Sequence, residues 1–257
     1  MDPKAGVVIN WKRLFWLARE RKKSPEAYRA LQAFQGMGII GGLAQNGVHV
    51  AGQQVLDMGC GFGGFAQALK DSGAQVLALD SSARVLKGLS RELRPVCGDA
   101  LRLPFPDGSF DFVFCASLIE HVPDPHRLFG EIRRVLRDGG WCYLSFPPFY
   151  SPRGGHQFAP YHLLGERFAT WVYCRSRAKR VPTWQREFLA EGETYRRAFK
   201  GFGLHKVTIA SAKKWIAESG LETTRISTRF SKVNPASWPV IGEFLTWNVE
   251  FLLRKRP

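Results

Sequence analysis

The residues best suited to chemistry here are carboxylates and imidazoles standing close to glycines. An apolar run, Gln54-Val-Leu, stops at Asp57, and Gly59, Gly61 and Gly64 follow. From Phe65 onward the pattern reads as helix, so the glycines describe a strand-to-helix turn. A ligand can lie against such a backbone because no Cβ atoms stand in its way. Dinucleotides use the same glycine spacing, with their pyrophosphate seated on the helix N-terminus. Asp57 argues against that ligand. A carboxylate ahead of the turn repels a pyrophosphate and suits a ligand that carries an ammonium group.

Two more acids extend the pattern. Ala74-Gln-Val-Leu-Ala-Leu reads as a second strand ending on Asp80. An acid at that point, about 20 residues past the first strand, is placed to accept both hydroxyls of a ribose, and Ser81 adjoins it. Pro95-Val-Cys-Gly reads as a short third strand with Asp99 and Ala100 at its tip. S-adenosylmethionine (SAM) has an ammonium, a sulfonium and a ribose but no phosphate, and it matches this set better than NAD(P). Its sulfonium is already a good leaving group, so an enzyme using it mainly supplies proximity and orientation. An oxygen or nitrogen nucleophile also needs a base. The candidates are His156, which follows Gly154-Gly155, and Glu120 and His121, which follow the fourth apolar run. Imidazole is the side chain whose ordinary pKa lies nearest neutrality. His162, Tyr161 and Tyr150 stand near His156 in sequence. A structural role for His156 in the Gly-Gly turn, or for His121 in its loop, stays open.

The elements that must position these groups follow from period and punctuation. Residues 11–36 read as helical, with Ser24-Pro25-Glu26 as a helix start. The helix around Tyr28–Leu43 is expected to end in the glycines between Gly36 and Gly42. Helices are expected over Ala83–Leu93 and His126–Leu136, the latter capped at Asp138-Gly-Gly. Strands are expected at Phe110–Ala116 and Trp141–Phe146. Thr208–Gly220 reads as a helix with a glycine stop, and Leu221–Phe230 and Thr246–Leu253 alternate as strands. The Trp11–Trp16 segment suits either a helix folded over the ligand cleft with its aromatics buried or an amphipathic helix on a membrane surface. The cleft is the favoured expectation.

The succession Asp99-Ala100, Leu103-Pro-Phe, Ser109-Phe-Asp, Glu120-His-Val-Pro-Asp-Pro125, with the glycine turn before it, resembles the type 11 group of class I SAM-dependent methyltransferases. The resemblance covers residues 54–148. It implies an α/β, Rossmann-like fold with a mostly parallel seven-stranded sheet, helices on both faces and a lid insertion after strand 5. It assigns cofactor contacts to Asp57, Gly59, Cys60, Gly61, Asp80, Ser81, Asp99, Ala100, Ala116 and Ser117, with Asp99 at the adenine and Ala116 and Ser117 over the methionine part. The expected layout is one methyltransferase domain: N-terminal helices over 1–50, a SAM-binding core over 51–148, a substrate lid over 149–205 and closing elements over 206–257. Some quinone-pathway relatives hold a divalent metal with a Glu-His pair and a further Glu three residues earlier. That earlier position is Ser117 here, so no metal is expected, although Glu120, His121 and His156 could still gather one.

Charge and composition narrow the partners. The 257 residues carry a net charge of +15, concentrated in the flanks. Residues 51–150 are close to neutral, with ten Lys and Arg against eleven Asp and Glu, whereas residues 151–257 hold nineteen against eight. Such an excess favours an anionic partner: a small acidic or phosphorylated molecule, a membrane surface or a nucleic acid. No RRM or KH signature supports nucleic acid. Five scattered cysteines without CxxC spacing read as reduced thiols. With no signal-like N-terminus and no long apolar run, a cytoplasmic protein is expected. The expected activity is O-methylation of a sugar, lipid-linked or natural-product acceptor. C-methylation of a quinone-like lipid and a non-catalytic SAM- or nucleic-acid-binding role remain as alternatives.

Overall fold

A computed structural model describes residues 10–175, 203–229 and 233–257. The segment expected to form the lid therefore falls partly outside the described residues. Seven strands form one sheet in the order β3-β2-β1-β4-β5-β7-β6. They are β1 (Gln54–Met58), β2 (Gln75–Asp80), β3 (Pro95–Cys97), β4 (Phe110–Ala116), β5 (Leu136–Phe146), β6 (Leu221–Thr228) and β7 (Val249–Lys255). The first five are parallel, and β7 runs antiparallel to both β5 and β6. The central strands are buried on both faces, which is why Val55-Leu56 and Phe112-Val113-Phe114 read as unbroken apolar runs. The order reverses between β1 and β4, and ligands of open α/β sheets bind at the C-terminal strand ends beside such a switch.

Helices cover both faces. α1 (Trp11–Glu20), α2 (Pro25–Gln45) and α3 (Gly64–Asp71) lead into the sheet, followed by α4 (Ala83–Leu86) and α5 (Pro125–Val135). α6 (Glu166–Arg175), α7 (Ile209–Ser219) and α8 (Ile241–Leu245) come after β5. Ser24 caps α2 as expected, accepting the Ala27 N–H at 3.2 Å ahead of Pro25. Thr208 and Ser211 form a reciprocal cap on α7, and Gly220 ends it in the left-handed region at φ 77°.

Four expectations about these elements fail, each for an identifiable physical reason. α2 does not end in the glycines between Gly36 and Gly42 but runs through them to Gln45. A Cβ on Gly36 would come 2.7 Å from the Ala68 Cβ, and one on Gly64 would come 2.5 Å from the Arg29 carbonyl oxygen. These glycines let α2 and α3 touch backbone to backbone; they are contact points, not helix stops. The expected Ala83–Leu93 helix is only α4 and a separate 3₁₀ turn at Arg91–Leu93. α5 stops at Val135, and Asp138-Gly-Gly lies within β5, where the pairing with β4 shifts between Phe110 and Phe112. Those residues form a bulge rather than a cap. Finally, α1 buries Leu14 and Leu17 against Leu31. Trp11, Phe15 and Trp16 face solvent and are not folded into a cleft; Phe15 is 80% exposed.

The closing strands hold, with shifted ends. Val249 and Phe251 are buried in β7, but Trp247 lies before the strand and is half exposed. With Trp238, Val240, Ile241, Phe244 and Leu245 it forms an apolar surface around α8. Among the described residues no helix is long and apolar enough to cross a membrane.

Candidate active site

The glycine turn joins β1 to α3. Gly59 and Gly61 have φ of 76° and 50°, the left-handed region that glycine enters without strain. The N–H groups of Gly59 and Cys60 donate to the Leu79 carbonyl at 2.8 and 2.9 Å, which ties the turn to β2. α2 holds it from above. Arg29 donates from Nε to the Phe62 carbonyl at 2.9 Å and from Nη2 to the Gly88 carbonyl at 3.0 Å. Nothing in the spacing marks Arg29 in advance, because its partners lie far along the chain.

Asp57 and Asp80 stand at adjacent strand ends in different electrostatic states. Asp57 is buried, and its Oδ2 has no hydrogen-bond partner. Burial, and then the charge of Asp80, push its carboxyl up to about 8. Asp80 accepts the Gly61 N–H on Oδ2 and the Ser82 N–H on Oδ1, both at 2.9 Å. Ser81 is exposed, and its carbonyl accepts the Cys97 thiol at 3.5 Å. Asp99 is exposed and accepts the Leu101 N–H at 2.8 Å, with Ala100 buried beside it. Burial pushes the Cys60 thiol far up, so Cys60 contributes backbone rather than a reactive sulfur.

β4 ends at Ala116, which is buried, and Ser117 turns into the left-handed region at φ 56°. Its N–H donates to the Ser145 carbonyl at 2.7 Å, linking β4 to β5. A non-glycine residue held there stores strain, a feature that recurs at functional sites. His156 is a second case, at φ 47°. Its Nε2 is buried, lacks a hydrogen-bond partner and lies 3.6 Å from Oε1 of Glu120. Glu120 is 2% exposed, with neither carboxylate oxygen hydrogen-bonded. His121 Nδ1 lies 2.9 Å from the Gly203 carbonyl, so that nitrogen donates, and the ring meets His156 edge to face at 5.0 Å. Ligand atoms of Glu120, His121 and His156 all lie within 4.8 Å of one another. The three imidazole and carboxylate candidates thus converge, although His156 is distant in sequence from the other two.

Gly154 and Gly155 serve packing. A Cβ on Gly154 would come 2.0 Å from the Pro148 carbonyl oxygen, and one on Gly155 would come 2.2 Å from the His162 ring. His162 is buried and donates from Nε2 to the Phe149 carbonyl at 2.7 Å. The residue that pins this turn is therefore His162, which leaves His156 free to face the cleft.

A cavity of about 320 Å³ opens beside His156 and Ser117. Its walls include Tyr28 and Gln32 from α2, Arg21 just past α1, Arg153, and Trp247 and Asn248 ahead of β7. Sequence reasoning missed these residues. They come from segments far apart along the chain, and no spacing rule links them.

The residues at the strand ends fit SAM. The buried Asp57 oxygen without a partner calls for a cationic or donor group, and the open glycine backbone next to it leaves room for one. The comparisons agree. The methyltransferase-domain family matches over residues 56–144. An uncharacterized methyltransferase of Mycobacterium leprae is 30% identical over 242 residues, spanning 89% of this chain and 82% of that protein. Another from Mycobacteroides abscessus is 28% identical over 254 residues, covering 93% and 91%. Among solved structures, the fold resembles an S-adenosylmethionine-dependent methyltransferase from Mesorhizobium loti, with a TM-score of 0.55, 19% identity and coverage of 90% and 100%. With a methyltransferase-domain match over the strands and turn that carry the site, and a methyltransferase relative aligned along most of both chains, this protein belongs to the SAM-dependent methyltransferases.

Proposed function

We propose that the protein methylates a hydroxyl of a small-molecule acceptor, with His156 as general base and Glu120 as the group that orients it. The observation carrying this reading is that His156, on the wall of the cavity that adjoins Ser117, lies 3.6 Å from the buried Glu120 behind it. SAM supplies a methyl group on a sulfonium, whose sulfur leaves as the neutral thioether of S-adenosylhomocysteine while the acceptor oxygen bonds to the carbon. The hydroxyl proton passes to His156. Because Nε2 is buried against Glu120, Nδ1 is the nitrogen left to take it, and the carboxylate stabilises the imidazolium that results. Asp57, Gly59, Cys60, Gly61, Asp80, Ser81, Asp99, Ala100, Ala116 and Ser117 form the cofactor side. The segment after β5 acts as the substrate lid, and the basic flanks favour an anionic acceptor.

His156→Ala should lower kcat by about 10²–10⁴-fold and leave S-adenosylhomocysteine affinity unchanged. The wild-type rate should rise with pH through an ionisation that the variant lacks. Near-normal turnover by His156→Ala together with a dead His121→Ala would move the role to His121. A second reading draws on the convergence of Glu120, His121 and His156 within 4.8 Å: a divalent cation held by all three. In that case a chelator abolishes turnover by the wild type and added metal restores it.

A further inference from the structure

The cavity beside His156 carries charge that acid–base chemistry does not use. Arg21, Arg153 and Arg229 line it, and among the described residues no Asp or Glu does. Arg229 is already matched. Its Nε lies 2.9 Å from Oε1 of Glu250, and Nη2 donates to the Tyr143 hydroxyl at 2.7 Å and to Ser145 Oγ at 2.9 Å. Arg21 and Arg153 are different: neither pairs with a carboxylate among the described residues. Arg153 is nonetheless held in place, its guanidinium 5.1 Å from the centre of the Trp247 ring. Burial, followed by the charges of Arg21 and Arg229, lowers its pKa, as expected where like charges face one another.

Two unmatched guanidiniums on one cavity repel each other until an anion sits between them, and planar forks of N–H donors suit phosphate oxygens. A monovalent carboxylate neutralises one of them; a phosphate ester, near −2 at neutral pH, neutralises both. We infer that Arg21 and Arg153 form a subsite for a phosphate-type dianion carried by the methyl acceptor, which directs the acceptor hydroxyl toward His156. The direction of the hydroxyl rests on the methyl-transfer reading above; the anion subsite itself does not. A soluble phosphate ester and a lipid phosphate headgroup present the same chemistry here.

The test is calorimetric titration of the full chain, preloaded with S-adenosylhomocysteine, with phenyl phosphate. Saturable binding is expected, weakened at least tenfold by Arg153→Gln and by Arg21→Gln and partly recovered in Arg153→Lys. S-adenosylhomocysteine affinity should be the same in all of them, and His156→Ala should bind phenyl phosphate like the wild type. Absence of saturable binding by the wild type, or binding indifferent to both glutamine substitutions, overturns the subsite. Failure of the wild type to bind S-adenosylhomocysteine would instead count against the placement of the cofactor. Phosphatidic acid vesicles in a phosphatidylcholine background provide the second arm. Competition with phenyl phosphate assigns the phosphate to a lipid headgroup and lack of competition to a soluble ester, and either result supports the subsite.

Discussion

On one side of the cleft, Asp57, Gly59, Gly61 and Asp80 come from two neighbouring parallel strands and the turn between β1 and α3. On the other side, Arg21, Gln32, His156, Arg229 and Asn248 come from the N-terminal helices, the segment after β5 and the ends of β6 and β7. The first side sits in the nearly neutral stretch 51–150, and the second draws on the basic flanks. A site made by one strand-turn-helix leaves its full signature in a short run of sequence. A site made where separate segments meet leaves none, because each residue is ordinary until the fold brings its neighbours. Under the proposed function the contrast also separates the tasks: a cofactor common to many enzymes is met by local geometry, whereas a particular acceptor is met by surfaces that can vary independently.

The comparison breaks most visibly where one side can be ruined alone. In Gly154→Ala the new Cβ would have to displace the Pro148 carbonyl from 2.0 Å, a backbone clash with no flexible side chain to yield. Overpacking of this kind costs about 1–3 kcal/mol or more. Turnover should collapse while S-adenosylhomocysteine still binds, as calorimetry on the purified variant would check. Equal loss of both functions would mean that the two sides are not separable.

Asp57 gives a large effect of pH on the other side. Its carboxyl is raised to about 8 in the folded chain from 3.8 when unfolded. Between those values the folded state holds a proton that the unfolded state has lost. Stability from this group is therefore full below about pH 4 and declines as pH rises to about 8. Thermal unfolding of the free protein should show this slope, and Asp57→Asn should flatten it. Binding of S-adenosylhomocysteine, whose ammonium favours the ionised carboxylate, should release a proton at pH 7, detectable as a dependence of titration heat on buffer. Unchanged proton release in Asp57→Asn would move the ammonium contact elsewhere.

Asp80→Ala should be milder. It removes a carboxylate that fixes the Gly61 and Ser82 N–H groups and that, in the function proposed above, accepts ribose hydroxyls. A cost of about 1–3 kcal/mol in S-adenosylhomocysteine affinity is expected, with phenyl phosphate binding unchanged. Salt should produce the smallest shift. Exposed charges are screened beyond roughly 8 Å at physiological ionic strength, so phenyl phosphate affinity should fall modestly with added salt while S-adenosylhomocysteine affinity stays flat. The same salt response for both ligands would erase the charge contrast.

The sequence by itself determined the β1 turn, the acids at the strand ends, the alternation of strands and helices through β5, and the two closing strands, though not their antiparallel pairing. All of these rest on local rules: backbone freedom at glycine, burial of apolar runs and caps at helix ends. It misjudged the glycines between Gly36 and Gly42, read as a helix stop, because the reason for Gly36 is the approach of α2 to α3, a contact between distant parts of the chain. It misjudged the Trp11–Trp16 aromatics for the same reason, since which face of α1 is buried depends on where Leu31 lies. Tertiary structure alone decided that His156 meets Glu120, that His162 rather than His156 pins the Gly-Gly turn, and that Arg21 and Arg153 share one cavity. Spacing along a chain reports neighbours within a turn or a strand pair. Charges and imidazoles that meet across a cleft are brought together by the packing of whole elements, and no short-range pattern encodes that.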